Sequence, residues 1–253
     1  MICAYSEFVR GCDIGVDEAG RGPVIGPLVV CALAIPNEDR EFLAHIGADD
    51  SKKLSSSRRE EVFTNIKSLS KSRGWGIGEV ICSPQRVDIG IATANLNALE
   101  VVLFAEAVRA AVGPTSTCTI LLDACDVNAS RFGDNVASEL GFDWRECNIV
   151  SKHGMDADDI VVGAASIIAK FTRDAMIERL SEELEMNLGS GYPSDPITRD
   201  AVRELCLGDE PHDCLRWSWS TVRDVWTNGH QSPLPERGAG VNHPAQSSLK
   251  DWN

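Results

Sequence analysis

The chain has 253 residues, of which 43% are hydrophobic and 25% charged, which suits one large domain, or one domain with a smaller appendage. No apolar run reaches the roughly 18 residues of a membrane helix, and the N-terminus does not resemble a secretion signal, so we predict a cytoplasmic protein without membrane partners. The net charge of −14 argues against nucleic-acid binding over the whole surface. Residues 50–75 are a basic exception, and such a segment is either a solvated helix face or a place for phosphate contacts.

Periodicity and turn residues predict the elements in chain order. We expect strands at 13–19 and 24–35, a helix at 52–72, a strand at 75–82 and a helix at 96–111, followed by strands at 118–124 and 143–150 and a long helix at 158–186. This order predicts an α/β fold with a mixed central sheet flanked by helices.

The C-terminal part differs in composition. We divide the chain into a main domain at 1–196, a small helical extension at 197–226 and a disordered tail at 227–253. Trp217, Trp219 and Trp226 are available to pack the extension.

The nine cysteines are odd in number and irregularly spaced, and they form no CxxC pair, so a zinc ribbon is excluded. Several lie inside apolar segments, as Cys31 does in LVVCALAI. The pattern predicts buried, reduced thiols in a reducing compartment.

Carboxylates stand at the ends of two predicted strands. Asp17 and Glu18 end the first, and Asp123 follows the apolar run ILL. Charges next to buried strands need a partner or a metal, and clustered carboxylates suit Mg²⁺ or Mn²⁺. Adjacent strand residues face opposite ways, so Asp17 and Glu18 share one site only if the strand ends or twists there. The alternative is that these acids cap helices or pair with Arg21 and nearby lysines.

A site with two divalent cations hydrolyses a phosphodiester without a protein nucleophile. The sequence agrees with this chemistry, because the five histidines fall mostly in predicted loops and no Ser-His-Asp or Cys-His arrangement stands out.

Seven segments resemble, in the same order, the motifs of type 2 ribonucleases H, the ribonuclease HII family. They cover about residues 15–225, and their form is closer to the archaeal and eukaryotic members. The segments are GVDEAGRGPVIGPLVV (15–30), DDSKKLS (49–55), NLNALE (95–100), ILLDA (120–124), VVGAASIIAKFTRD (161–174), GSGYPSDPIT (189–198) and RWSWSTV (216–222).

The resemblance implies an RNase H-like fold and an endonuclease acting on RNA–DNA hybrids and on duplex DNA that contains single ribonucleotides. Cleavage on the 5′ side of the ribonucleotide would leave 3′-hydroxyl and 5′-phosphate ends. The implied metal-binding and catalytic acids are Asp17, Glu18, Asp123 and a fourth, which the register places at Asp156. Asp158 and Asp159 stay open as alternatives, because the chain has Gly-Met-Asp where the family often has Lys-Ala-Asp.

The resemblance also implies substrate contacts. Gly20, Arg21 and Gly22 match the turn that reads the ribose, since glycines allow close backbone approach and the 2′-hydroxyl distinguishes RNA from DNA. Tyr192 matches a tyrosine at the sugar after the scissile phosphate. Without the motif, the glycines are simply a turn and Tyr192 a loop aromatic that packs on the core.

Three lysines are candidates for phosphate binding. Lys52 and Lys53 open a predicted helix near the site, and the resemblance makes them phosphate contacts. Lys170 either faces phosphate as well or pairs with an acid.

The end of the tail resembles the peptide by which proteins dock on the PCNA sliding clamp. Gln246, Leu249 and Trp252 follow the Q-x-x-aliphatic-x-x-aromatic spacing, although Asn253 replaces the usual second aromatic. One helical turn would place Leu249 and Trp252 on one side as an apolar plug. The alternative is a polar tail without a partner.

Two other functions stay open. The chain could be another nuclease of the same fold, such as a type 1 RNase H or a junction-resolving enzyme. It could also be a non-catalytic, hybrid-binding protein recruited by a clamp. The single-chain archaeal enzymes favour a monomer.

Overall fold

The computed structural model describes residues 11–48, 55–114 and 118–237. The strands of its sheet are β1 (Cys12–Ala19), β2 (Leu28–Pro36), β3 (Gly76–Cys82), β4 (Cys118–Asp123) and β5 (Asn148–Lys152). The α-helices are α1 (Arg40–His45), α2 (Ser56–Arg73), α3 (Pro84–Thr93), α4 (Leu96–Ala111), α5 (Ala129–Leu140), α6 (Met155–Asp158), α7 (Ile160–Glu183), α8 (Pro196–Glu204) and α9 (Ser220–His230).

The strands form one sheet in the order β3-β2-β1-β4-β5. The first three strands in sequence are antiparallel neighbours, whereas β4 runs parallel to both β1 and β5. The predicted mixed sheet flanked by helices is confirmed. Because β1 and β4 are parallel, with Val16 opposite Leu122, the residues that follow them meet at the same edge of the sheet.

The two faces of β1 carry different helices. Ile14 and Val16 point into the apolar cluster that contains Leu103 and Phe104 of α4. On the other face, a Cβ added at Gly15 would stand 2.4 Å from the backbone of Val161, so α7 lies directly on the sheet there. Helices α1 and α2 add apolar side chains to this second face. The alternation of β1 therefore assigns its even-numbered residues to the α4 side and its odd-numbered residues to the α7 side.

The C-terminal helices pack against the loop between β1 and β2. Val24 and Ile25 of that loop share an apolar cluster with Trp217, Trp226 and the end of α7. The expected helical character of this region is confirmed by α8 and α9.

The predicted start of the disordered tail at 227 is wrong for residues 227–237. Helix α9 continues to His230, and the Arg237 guanidinium lies 2.7 Å from the carboxylate of Asp88, with both side chains buried. Composition alone missed these contacts, because Arg237 is anchored by a residue of distant α3. The rest of the predicted tail lies outside the described residues.

Several element boundaries differ from the predicted ones. The second strand begins only at Leu28, because the preceding loop turns at Gly26 with φ of +84°. The strand predicted at 143–150 is shifted to Asn148–Lys152, because Phe142–Trp144 forms a 3-10 turn. Helices α1, α3 and α5 were not predicted at all.

The prediction of reduced thiols is wrong for one pair. Cys12 and Cys118 face each other across β1 and β4 and are joined by a disulfide. Sequence spacing could not reveal this pair, because 106 residues separate the two cysteines. The other described cysteines are thiols: Cys31, Cys82, Cys125, Cys147, Cys206 and Cys214.

Among the helices of the described residues, none combines the length and the hydropathy that crossing a lipid bilayer requires.

Candidate active site

Three aspartates converge where β1 and β4 end. Asp17 lies near the end of β1, Asp123 is the last residue of β4, and Asp156 lies in the short helix α6. One carboxylate oxygen of each lies within 4.8 Å of the other two. Mg²⁺ and Mn²⁺ prefer carboxylate oxygens, so the donor set of this group, called the aspartate trio below, fits a hard divalent cation.

Asp17 is buried, with 4% of its surface exposed. Burial raises the pKa of its carboxyl well above the ordinary value, and the nearby charges of Glu18 and Asp123 raise it further. A hydrogen bond with Ser166 and the ammonium of Lys170, both on α7, offset only part of this rise. The positive charge around Asp17 is therefore too small to balance its ionised carboxylate. A bound cation would supply the missing positive charge.

Backbone groups orient Asp123. Its Oδ1 accepts hydrogen bonds from the N–H of Gly154 at 2.8 Å and of Met155 at 3.2 Å. Burial and the charge of Asp156 nevertheless raise the pKa of Asp123. The loop that leads into α6 thus fixes the orientation of the Asp123 carboxylate.

Three acids compete in the sequence for the last place in the trio. Asp159 caps α7, where its Oδ1 accepts from Val161 N at 2.8 Å, and Asp158 is exposed to solvent. The structure brings Asp156 alone of the three to the other two aspartates. The Lys170 Nζ lies 3.7 Å from Asp156 Oδ2, so of the two roles left open for Lys170 the structure has the acid partner.

Glu18 points to the other face of the sheet. Its backbone N–H donates to Asp17 Oδ1 at 2.8 Å, but its carboxylate is grouped with Glu100 of α4 and the thiol of Cys125. Burial raises the pKa values of both Glu18 and Glu100. The four acids expected from the sequence therefore fall into two adjacent groups, joined by the Asp17–Glu18 peptide and by a contact between these two side chains.

These raised pKa values predict how stability depends on pH without metal. In the folded protein, Asp17 and Asp123 hold protons at pH values where the unfolded chain, with an ordinary value near 3.8, has released them. The free energy of unfolding should therefore fall as pH rises from 5 to 7.5 in EDTA. Urea unfolding at the two pH values measures this change, and saturating Mg²⁺ should reduce it.

A comparison with Asp17→Asn isolates the contribution of Asp17 to the pH dependence of stability. The pKa of His212 is lowered by burial, so its effect on stability has the opposite sign in this window, but it is common to both proteins. Wild type should lose more stability than the variant between pH 5 and 7.5. An equal loss in the two proteins would contradict the electrostatic interpretation of Asp17.

The turn Gly20–Gly22 follows β1 and is held from inside by the C-terminal segment. The buried Arg216 donates hydrogen bonds to the carbonyl oxygens of Gly20 at 2.6 Å, Arg21 at 3.0 Å and Gly26 at 3.1 Å. Only glycine suits the first position, where φ is +89°.

The next carbonyl of the turn is also held. Trp219 Nε1 donates to Gly22 O at 3.1 Å, and a Cβ added at Gly22 would stand 3.4 Å from the ring of Tyr192. Tyr192 is 39% exposed, and the guanidinium of Arg173 lies 5.3 Å from its ring centre. The structure thus brings the glycine turn and the tyrosine together with part of the ring open to solvent.

The Arg21 side chain turns toward α4. Its Nε donates to Glu100 Oε1 at 2.7 Å and its NH2 group to Asn97 Oδ1 at 2.6 Å. Both partners belong to the NLNALE segment, so this motif fixes the arginine. The Arg21 side chain is thus fixed by two hydrogen bonds while 38% of its surface stays exposed.

Five of the predicted site residues lie outside the described residues: Lys52, Lys53, Gln246, Leu249 and Trp252. Several cations of the neighbouring helix α2 are engaged in ion pairs. Arg59 contacts Asp174 at 3.1 Å, Arg73 contacts Asp39 at 2.5 Å, and Lys67 contacts Glu79. These contacts favour a structural role for this part of the basic segment.

Sequence reasoning missed three groups around the site. Glu100 was recognisable as an acid among the apolar residues of α4, and Ser166 lies one turn before Lys170 on α7. Arg216 opens the RWSWSTV segment, but its role could not be predicted there, because its partners lie more than 180 residues earlier in the chain.

Comparisons with known proteins show to which family the chain belongs. A family model described as ribonuclease HII matches residues 14–222. The ribonuclease HII of Methanocella arvoryzae is 43% identical over 223 residues, which are 87% of this chain and 94% of that protein.

Two solved structures are similar along most of the chain. The ribonuclease H2 from Pyrococcus horikoshii superimposes with a TM-score of 0.76 at 34% identity and covers 87% of this chain and 100% of that one. A ribonuclease HII from Archaeoglobus fulgidus, solved in a complex with PCNA, has a TM-score of 0.71 at 34% identity. The match covers 84% of this chain and 96% of that one. The expected RNase H-like fold is confirmed, and because the family model and these relatives match most of the chain, the chain belongs to the ribonuclease HII family of endonucleases.

Proposed function

We propose that this protein hydrolyses the RNA strand of RNA–DNA hybrids and cuts on the 5′ side of single ribonucleotides in duplex DNA. The observation that carries the proposal is the aspartate trio, which lies at the end of the strand that leads into the glycine turn facing Tyr192. A hydrolytic centre beside a turn that approaches sugars closely is suited to nucleic acid with a 2′-hydroxyl. Membership of the ribonuclease HII family supports the same conclusion.

Asp17, Asp123 and Asp156 would hold divalent cations, Mg²⁺ or Mn²⁺, with Glu18 as the fourth expected ligand. When bound, such cations activate water and stabilise the leaving 3′ oxygen, so that 3′-hydroxyl and 5′-phosphate ends result. The chain contributes the positions of the carboxylates. Gly154 and Met155 orient Asp123, and Lys170 balances part of the charge of the trio.

The glycine turn would select the ribose through its backbone. Arg216 holds the carbonyls of Gly20 and Arg21 inward. In a trans peptide the C=O and the following N–H point in opposite directions, so the N–H groups of Arg21 and Gly22 point away from Arg216. Outward N–H groups can donate to the 2′-oxygen of a ribonucleotide, and the ring of Tyr192 would lie against the neighbouring sugar.

The test is cleavage of a DNA duplex with one ribonucleotide, beside a long hybrid and an all-DNA duplex. With Mg²⁺ or Mn²⁺ we expect one cut 5′ of the ribonucleotide and cuts along the RNA of the hybrid. The all-DNA duplex and the EDTA reactions should remain intact. Cutting of the all-DNA duplex, or cutting that survives EDTA, would overturn the proposal.

We further propose that the protein acts in the cytoplasm as a monomer and docks on a sliding clamp through its C-terminal tail. Support comes from the spacing of Gln246, Leu249 and Trp252 and from the relative that was solved with PCNA. The peptide would order on binding and insert its apolar residues into a groove of the clamp.

Deletion of residues 246–253 should weaken binding to PCNA by at least about tenfold, because loss of one apolar anchor costs about 2 kcal/mol. Surface plasmon resonance on immobilised clamp measures the effect. Ser247→Ala serves as the matched control, since it alters the tail but none of the three anchors. Unchanged affinity in the deletion variant would sink this docking proposal, whereas cleavage of a short duplex should stay the same.

A further inference from the structure

A second group of ligating side chains lies across β1 from the aspartate trio. Glu18 comes from β1, Glu100 from α4 and Cys125 from the loop after β4. One ligand atom of each lies within 4.8 Å of the other two. The donor set contains two carboxylate oxygens and one sulfur, whereas the trio offers oxygen only. We call this group the mixed cluster.

One carboxylate oxygen of the mixed cluster is buried without a hydrogen-bond donor. Glu100 is 0% exposed, and its Oε1 accepts from Arg21 Nε at 2.7 Å. Its Oε2 is buried and has no hydrogen-bond partner among the described residues. A buried carboxylate oxygen without a donor is costly, so this position favours a cation in contact with Oε2.

The sulfur determines which cation fits. Mg²⁺ and Ca²⁺ choose oxygen ligands, whereas thiolates select softer ions such as Zn²⁺, which also accepts carboxylate. Three protein ligands with one position left to water match a common zinc arrangement. Binding would displace the thiol proton of Cys125 to solvent.

We propose that Glu18, Glu100 and Cys125 form an inhibitory site for a thiophilic divalent cation of the zinc class. Glu18 is also an expected ligand of the catalytic cations, and its peptide is shared with Asp17. An ion held on the α4 side would keep the Glu18 carboxylate away from the trio. Excess Mg²⁺ would relieve the inhibition poorly, because Mg²⁺ does not compete for the sulfur. The proposed inhibition rests on the proposed nuclease function, whereas the proposed metal binding does not depend on it.

Binding is tested with Co²⁺ as a spectroscopic probe on the full-length, metal-free protein. A thiolate ligand gives Co²⁺ an intense sulfur-to-metal charge-transfer band in the near ultraviolet. Wild type and Cys147→Ser, a control at a partly buried thiol outside the mixed cluster, should show this band at one equivalent of Co²⁺. Cys125→Ser should lose it, and Glu100→Gln should weaken Co²⁺ binding at least about tenfold, since even indirect ligand partners contribute 10–100-fold to affinity. Absence of the band in wild type, or its persistence in Cys125→Ser, would overturn the proposal.

Inhibition is tested by adding Zn²⁺ to cleavage reactions at saturating Mg²⁺. Zn²⁺ should inhibit wild type and Cys147→Ser, whereas Cys125→Ser should need at least about tenfold more Zn²⁺ for the same inhibition. The Cys125 thiol is a hydrogen-bond partner of the Glu18 carboxylate, and a serine hydroxyl can take its place, so cleavage in Mg²⁺ alone should persist in this variant. Equal inhibition of Cys125→Ser would refute the regulatory role. If neither wild type nor the variants cleave in Mg²⁺ or Mn²⁺, the proposed nuclease function fails. The Co²⁺ spectra still decide whether the metal site exists.

Discussion

Asp17→Asn is expected to lower the rate of metal-dependent cleavage by at least about a thousandfold, because cation assistance supplies several kcal/mol of transition-state stabilisation. Asp17 is the member of the aspartate trio that also adjoins Glu18, so it lies between both groups of acids. Asparagine keeps the shape but offers one neutral oxygen in place of a carboxylate. Single-turnover cleavage of the ribonucleotide duplex at saturating Mg²⁺ measures the loss.

The same substitution should not destabilise the metal-free protein at neutral pH. Burial and the charges of Glu18 and Asp123 raise the pKa of Asp17, so ionised Asp17 opposes folding there. A neutral amide removes this repulsion, and the Tm of Asp17→Asn in EDTA should equal or exceed that of wild type. In Mg²⁺ the order should reverse, because the variant gains less from the cation.

The control for this experiment is Asp158→Asn. Asp158 is exposed and lies two residues from Asp156 on the same segment, so its removal changes the net charge by the same amount. Its cleavage rate should stay within about twofold of wild type, since exposed acids contribute little. Cleavage by Asp17→Asn at the wild-type rate would contradict the proposed role of the trio.

The sequence predicted those parts of the fold that have strong local periodicity. Helix α4 spans the predicted residues because its apolar stripe is regular, and β1 and β4 are short apolar runs that end in acids. Helix α5 was missed because Gly133 and Asn135 lower its intrinsic propensity. Its stability depends on tertiary packing, such as the edge-to-face contact of Phe104 and Phe132 with ring centres 5.0 Å apart.

The candidate site likewise has residues that were predictable from local sequence and residues that were not. Asp17 and Asp123 were predictable because acids after buried strands need partners, and parallel neighbours bring them to one edge. The grouping of Glu18 with Glu100 was not predictable, since it depends on which helix covers each face of β1. The role of Arg216 was not predictable for a related reason, because hydrogen bonds to distant carbonyl oxygens leave no periodic pattern in the sequence.

Arg216→Lys is the second substitution with a large expected effect. Arg216 is completely buried, and its guanidinium serves three carbonyls of the glycine turn and the loop after it. A lysine ammonium is a compact charge without the planar fork, so it cannot reach all three at once. Each buried carbonyl left without a donor costs about 1–3 kcal/mol, and we expect a total loss of about 2–5 kcal/mol in urea unfolding.

The functional effect should exceed what the lost stability explains. Below the Tm of the variant, the glycine turn would be free to shift, and a displacement of about 1 Å can cost about a hundredfold in rate. We therefore expect kcat on the single-ribonucleotide duplex to fall about 10–100-fold. Arg223→Ala, which removes an exposed arginine of α9, should leave both stability and kcat close to wild type.

Mg²⁺ binding shows whether Arg216→Lys displaces only the glycine turn or disrupts the aspartate trio as well. No hydrogen bond or ion pair of Arg216 among the described residues reaches the aspartate trio, so Mg²⁺ should raise the Tm of Arg216→Lys as much as it raises that of wild type. A variant that binds cations normally but cleaves slowly would have an intact hydrolytic centre and a misplaced sugar. Loss of the Mg²⁺ effect, or kcat equal to wild type, would mean that Arg216 stabilises the C-terminal region without positioning the turn. The first result would show that ribose selection depends on the contact between the glycine turn and Arg216 of the RWSWSTV segment.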